Sequence, residues 1–180
     1  ASYLSTGNWV DLSETHEHTG CSHGNVNRTR FTTDGYNNTP FSANDRIYID
    51  NITVYYKAPK TEEPVASEWD NTEKGYRVFL ADFETKNDGT AVISTDVSAI
   101  TNSRVDSAPA TAGIAATSAA RVNPKYSSIS RLNVKGGAGA NIQGTADNQH
   151  LSLTSVGDSL ILSQLYVGDG TYIIEFDANS

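Results

Sequence analysis

The chain has 180 residues, a net charge of −8 and a pI near 4.8, and only 19% of its residues are charged. That length suffices for one domain with its own core. The acidic balance and the lack of a lysine or arginine cluster argue against a nucleic-acid partner, since phosphate binding needs a basic surface. No apolar run approaches the roughly 18 residues of a membrane-spanning helix, so we expect no membrane partner.

Short alternating or β-branched runs recur along the chain, whereas apolar residues at helical spacing are scarce. The predicted strands cover residues 25–34, 46–57, 75–84, 90–97, 128–136, 150–156, 159–167 and 170–178. Gly, Asn and Pro separate these runs at intervals typical of a β-sandwich or jelly roll. The sequence therefore predicts an all-β fold.

The stretch "THEHTGCSHG", residues 15–24, holds three of the four histidines and the only cysteine. If this stretch is extended, His16 and His18 face the same way, and Cys21 and His23 could fold back to complete a zinc site. The spacing matches no established zinc motif. We therefore favour a solvated hairpin loop between "WVDLSE" and "NVNRTRF" and keep the metal site as the weaker alternative.

Residues 58–74, "APKTEEPVASEWDNTEK", are acidic, contain two prolines and have no apolar period, so they are predicted to be a linker. They divide the chain into residues 1–57 and 75–180. The shorter piece would have trouble burying a two-layer core alone. We expect the two pieces to share one core, so that residues 1–180 form a single β-sandwich module. The alternative is that each piece is half of a separate domain.

Several motifs resemble the jelly-roll carbohydrate-binding modules of families four, nine and twenty-two. "RVFLADFETKNDG" resembles their opening strand, and "GDGTYIIEFDAN" resembles a central strand. "STGNWVDLSE", "GNVNRTRF" and "RIYIDNITVYYK" resemble their last third, although here these precede the opening strand. The resemblance implies a galactose-binding-domain-like jelly roll in circularly permuted order. The alternative is a slice through tandem modules, whose halves would pair between molecules in a strand-swapped dimer rather than a monomer.

The same resemblance implies a structural calcium ion where the first and last strands of such modules meet. Asp50 of "YIDN" and Glu84 of "DFE" match those motifs, and Asp82 is a weaker candidate. Carboxylates brought together from distant parts of a sequence repel each other unless a cation or hydrogen bonds satisfy them, and Ca²⁺ accepts six to eight oxygen ligands.

Sugar binding needs exposed aromatic rings that stack on pyranose faces, beside polar groups that bond the hydroxyls. In "GTYIIEFDA", alternation places Tyr172 on the inward face and the two acids on the outward face. Three tyrosines lie in polar, turn-rich surroundings that would not bury them easily. The candidate carbohydrate-binding residues are Tyr3, Tyr36, Tyr126, Trp9, Glu175 and Asp177.

No catalytic or phosphate-binding motif stands out, so we expect no enzymatic activity. The resemblance implies a secreted or cell-surface bacterial module that binds a plant cell-wall polysaccharide, xylan or β-glucan, for an attached glycoside hydrolase. A shared fold does not establish a shared function. The alternative is a structural or adhesive β-sandwich repeat of a cell-surface protein, and a small hydrolase is the third possibility.

Overall fold

The computed structural model describes residues 7–19, 28–33, 45–60, 62–64, 67–85, 121–126, 131–135, 141–145, 147–163 and 168–180. In these residues the regular structure is antiparallel strand, apart from a 3-10 turn at Pro124–Tyr126. The expected all-β fold is confirmed. The strand predicted over residues 90–97 lies outside the described residues. No helix long and apolar enough to cross a membrane occurs in the described part of the chain.

The strands are described in chain order and form two sheets. They are β1 (Val10–His18), β2 (Arg28–Thr32), β3 (Ile47–Lys57), β4 (Asp70–Asn71), β5 (Gly75–Ala81), β6 (Arg121–Val122), β7 (Arg131–Lys135), β8 (Asn141–Thr145), β9 (Asn148–Leu153), β10 (Ser159–Ser163) and β11 (Gly170–Asn179).

Eight of these strands form the large sheet, and β2, β10 and β7 form the small one. In the large sheet β11 lies between β1 and β3. The opposite edge of β3 is shared: its first residues pair with β9 and its later residues pair with β5. The short strands β4 and β6 pair with β5, and β8 pairs with β9.

Strands from both sides of residues 58–74 alternate within the large sheet. β11, from the longer piece, lies between β1 and β3 of the shorter one. The segment predicted as a linker contains β4, which pairs with β5, so part of it belongs to the sheet. β1 lies in the large sheet and β2 in the small one. Residues 15–18 of the predicted loop belong to β1, and residues 20–24 lie outside the described residues.

Apolar side chains from both sheets form one hydrophobic cluster. Ile49, Ile52 and Val54 of β3 contribute to it from the large sheet, and Leu160 and Leu162 of β10 contribute from the small one. Removing such side chains from water stabilises a fold by roughly 25 cal/mol per Å² of apolar surface. The cluster therefore holds the two sheets together.

The spacing of the buried isoleucines in β3 departs from simple alternation. Ile49 and Ile52 are both fully buried although they are three residues apart. The pairing with β11 shifts by one residue here, and Asn51 has a φ of 49°, which marks a β-bulge. The bulge turns Asp50 and Asn51 toward the opposite face of the sheet, where the candidate site lies.

Candidate functional site

The pairing of three adjacent strands brings three aspartates into one row. In β11, Tyr172, Ile174 and Ala178 are buried, so the alternate residues point to the outer face of the large sheet. Asp177 pairs with Asp11 of β1 on one side and with Asp50 of β3 on the other. The register therefore places three carboxyl groups from distant parts of the sequence next to each other.

The neighbouring row is neutralised by an ion pair. Glu175 lies opposite Ser13 of β1 and Thr53 of β3. Lys74, just before β5, donates to both oxygens of Glu175, with Nζ–O distances of 2.6 and 2.8 Å. Its ammonium group also lies 5.3 Å from the centroid of the Tyr55 ring. The hydrogen bond to Glu175 is the main reason that the pKa of Lys74 is raised.

Both rows border an open groove of about 420 Å³, which we call the outer groove. Within it, the Asn51 side-chain amide donates to Asp177 Oδ2 over 2.8 Å. The groove therefore presents carboxylate, amide, hydroxyl and ammonium groups on adjacent strands. Its polar lining residues are Asp11, Ser13, Asn51, Thr53, Lys74, Glu175 and Asp177.

Aromatic rings lie next to the outer groove. Trp9 is 44% exposed and precedes Asp11 by two residues. Its ring packs edge-on against His150, with centroids 5.5 Å apart, and His150 packs in the same way against Tyr48 at 5.2 Å. Tyr48 precedes Asp50 by two residues in β3, so it points to the outer face. We call Trp9, Tyr48 and His150 the aromatic cluster.

The surroundings of His150 in this cluster favour its neutral form. Burial lowers its pKa below the ordinary value for histidine, because a low-dielectric environment disfavours the charged imidazolium. The aromatic cluster therefore adds no positive charge to the acidic face near neutral pH.

Burial makes Asp50 a weaker acid than an ordinary aspartate. The residue is only 7% exposed. The pKa of Asp50 is raised to about 7, and burial is the main cause. The hydrogen bond from the Asn51 backbone N–H opposes the rise. The nearby carboxyl groups of Glu84, Asp177 and Asp82 add to the rise. Three further carboxyl groups thus lie within electrostatic reach of Asp50.

Two neighbouring acids are shifted in the same direction. Burial raises the pKa of Asp177; the hydrogen bond from Asn51 opposes that shift, and the facing carboxyl of Asp11 adds to it. Burial also raises the pKa of Glu84, against the effect of a hydrogen bond from the Gln149 backbone N–H. Burial is thus the main reason that the pKa values of Asp177 and Glu84 are raised.

Asp50, Glu84 and Asp82 are the calcium ligands expected from the sequence, and in the structure Glu84 and Asp82 lie close enough to Asp50 to raise its pKa. Glu84 Oε1 accepts the Gln149 N–H at 2.6 Å. Asp82 Oδ1 accepts the backbone N–H groups of Glu84 and Thr85 at 3.1 and 2.9 Å. Hard oxygen donors that repel each other fit a calcium ion. Among the described residues, no three His, Cys, Asp or Glu side chains are already arranged to hold a metal.

The weaker metal alternative involved the histidines and the cysteine. His16 and His18 occupy alternate positions in β1, so they share one side as their spacing predicts. His16 Nε2 lies 3.2 Å from Glu14 Oε2, and the His18 ring packs edge-on against Tyr172. Cys21 and His23 lie outside the described residues.

The structure brings two of the six candidate sugar-binding residues to one groove. Glu175 and Asp177 line the outer groove. Trp9 is not among the lining residues; it precedes Asp11 by two positions and contacts His150. Tyr126 lies in the 3-10 turn, where only its backbone is described. Tyr3 and Tyr36 lie outside the described residues.

Sequence reasoning missed five polar residues of the groove, namely Asp11, Ser13, Asn51, Thr53 and Lys74. Asp11 and Lys74 reach the groove through strand register and a turn, neither of which can be read from local sequence. Asn51 offered a signal, because it follows the aspartate of the "YIDN" motif and Asn tolerates the positive φ of a bulge.

Comparison of the chain with protein-family models, curated proteins and solved structures gave no match. What can be inferred about function therefore depends on the chemistry of the outer face.

Proposed function

We propose that the chain is a non-catalytic carbohydrate-binding module that binds xylan or a mixed-linkage β-glucan. The observation that carries this proposal is the exposed residue Trp9, which precedes the groove-lining residue Asp11 by two positions. A flat aromatic face stacks on the apolar face of a pyranose ring, and polar groups nearby bond its hydroxyls. In this proposal Trp9 provides the stacking surface.

The polar residues of the groove would make different hydrogen bonds to a sugar. Carboxylates accept hydrogen bonds from sugar hydroxyls, whereas an amide both donates and accepts. Asp11 and Asp177 would accept, Asn51 would exchange hydrogen bonds, and the ion pair of Lys74 with Glu175 would fix the groove wall. Their positions on paired strands limit the conformational entropy that binding costs.

The fold that we propose is a jelly-roll β-sandwich in circularly permuted order. Two features support it: both sheets contribute to one hydrophobic cluster, and β3 pairs directly with β5. These are the strands that resemble the closing and opening strands of carbohydrate-binding modules. In this arrangement the module would be secreted or displayed at the surface of a bacterium, where it would hold an attached glycoside hydrolase near its substrate.

A calcium ion at Asp50 and Glu84, with Asp82 as the weaker ligand, is part of the same proposal. Its support is the buried, electrostatically unbalanced carboxyl of Asp50. Asp82 is weaker because one of its oxygens accepts two backbone N–H groups and the other lies 3.5 Å from Arg121. When bound, the ion would neutralise these acids and stabilise the contact between β3 and the end of β5.

Affinity electrophoresis in gels that contain soluble xylan or β-glucan tests the function. We expect the wild type to be retarded and the Trp9→Ala variant to lose at least about tenfold in affinity, because a central tryptophan often carries much of a binding energy. Trp9→Phe keeps a flat ring and should retain part of the retardation.

Trp69→Phe is the matched control, because Trp69 does not line the groove and its ring packs instead under the guanidinium groups of Arg77 and Arg121. This variant should migrate like the wild type. No retardation of the wild type with any glycan would reject the proposal and favour the structural or adhesive repeat.

A further inference from the structure

We infer that the outer groove selects glycan chains that carry no acidic substituent and rejects chains decorated with glucuronate. This selectivity depends on the proposed carbohydrate-binding function and narrows its ligand class. It follows from the charges that the strands place around the groove.

The positive charge in the groove is already balanced. Of the described lining residues, Lys74 is the cation, and its ammonium group bonds both carboxylate oxygens of Glu175 at 2.6 and 2.8 Å. An acidic sugar that approached this ammonium group would meet the Glu175 carboxylate beside it, which carries the same charge as the sugar.

Two further carboxylates have no cation beside them in the groove lining. Asp11 and Asp177 pair directly across β1 and β11. The uncharged amide of Asn51 donates to Asp177 over 2.8 Å, and the Asp11 carboxyl group is a second hydrogen-bonding neighbour of Asp177.

The chemistry of these groups favours hydroxyl donors over carboxylates. An ionised Asp accepts hydrogen bonds and donates none, so it can bond a sugar hydroxyl but not a uronate oxygen. A uronate at this position would meet like charges, which costs affinity and is a common way to exclude a wrong ligand. Neutral xylose, arabinose or glucose units would meet no such penalty.

Isothermal titration calorimetry at pH 7 tests the selectivity with two xylo-oligosaccharides of equal backbone length, one carrying arabinose and the other carrying glucuronate. We expect the glucuronate chain to bind the wild type at least about tenfold more weakly. The difference should narrow when salt is raised to about 0.5 M, because ions screen charges in an open groove.

At low salt, the Asp11→Asn variant should show a smaller difference in affinity between the two oligosaccharides than the wild type. Glu62→Gln removes an exposed acid outside the groove, so it should leave this difference in affinity unchanged. Equal or tighter binding of the glucuronate chain would overturn the selectivity and leave the proposed function standing. An unchanged difference in Asp11→Asn would overturn the role of the aspartate row. Binding of neither oligosaccharide would overturn both the selectivity and the proposed function.

Discussion

Asp50 is a carboxyl group that folding removes from water and places near other acids. Its pKa of about 7 in the folded chain compares with 3.8 for an ordinary aspartate. The folded state therefore holds a proton that the unfolded state has released between these two values. Stability from this group is complete below about pH 4 and is lost as pH rises toward 7.

We expect Asp50→Asn to be more stable than the wild type at pH 8 in the presence of a chelator, and similar to it near pH 4. Each pKa unit corresponds to about 1.4 kcal/mol, so the difference at pH 8 should amount to a few kcal/mol. Denaturant unfolding at a series of pH values measures it. Glu73→Gln, which removes an exposed carboxylate, should follow the wild-type profile.

Calcium should remove the stability advantage of Asp50→Asn over the wild type at pH 8. Added Ca²⁺ at pH 8 should raise the melting temperature of the wild type and leave that of Asp50→Asn unchanged, because binding to the folded state alone stabilises it. If neither calcium nor a chelator alters the wild-type melting temperature, the calcium proposal fails. If the wild type and the variant share one pH profile without calcium, Asp50 does not titrate as described.

At the level of single residues, sequence alternation predicted which way a side chain points within a strand. It did not predict which residue lies opposite on the neighbouring strand. The outward direction of Glu175 and Asp177 follows from the inward direction of Tyr172, and the structure places both acids on the outer face. Asp11 became a partner of Asp177 only through the register of β1 with β11. That register depends on the whole sheet, so no local pattern encodes it.

Among the elements, β3 organises the large sheet, because it pairs with β11 on one edge and with β9 and β5 on the other. Two glycines allow the close approach of its neighbours at the same end. A Cβ atom at Gly75 would collide with the carbonyl oxygen of Tyr56, and one at Gly170 would collide with that of Lys57. Both glycines also have positive φ values, which disfavour other residues.

Gly75→Ala should therefore destabilise the protein by about 2–4 kcal/mol, through left-handed backbone strain together with the collision. Gly7→Ala is the matched control, since Gly7 also has a positive φ but its Cβ would meet no atom within 4 Å. That variant should lose about 1 kcal/mol. Equal losses in denaturant unfolding would show that β3 and β5 can separate enough to admit the methyl group.

The two longest strands were predicted, whereas β1 and the shortest strands were not. Sequence alternation gave β3 and β11 nearly at their observed bounds, because each runs for 10 or 11 residues with one buried face. β4 and β6 have two residues each, which is too short for any period to show. Their pairing with β5 arises from tertiary contact rather than from local preference.

For the molecule as a whole, the pairing of β1 and β3 with strands that follow residue 74 makes the two pieces depend on each other. Neither piece can satisfy the backbone hydrogen bonds of its strands alone. The predicted division at residues 58–74 marked a change in composition, but composition does not reveal that β11 returns between β1 and β3.

A protease site inserted between residues 59 and 64 tests this dependence. After cleavage, the two fragments should elute together in gel filtration and melt in one transition, because β11 remains paired on both edges. The uncleaved variant with the same insertion is the control. Separate elution of the fragments, or two melting transitions, would contradict the pairing described for the large sheet.

The double pairing of β3 also bears on how the chain folds during synthesis. β3 ends at Lys57, and its partner β11 begins only at Gly170. On the ribosome, the edge of β3 that receives β11 must stay open while the intervening chain is translated. Such an unpaired edge can form backbone hydrogen bonds with another nascent chain. Slow translation or high expression should therefore favour aggregation before β11 is synthesised.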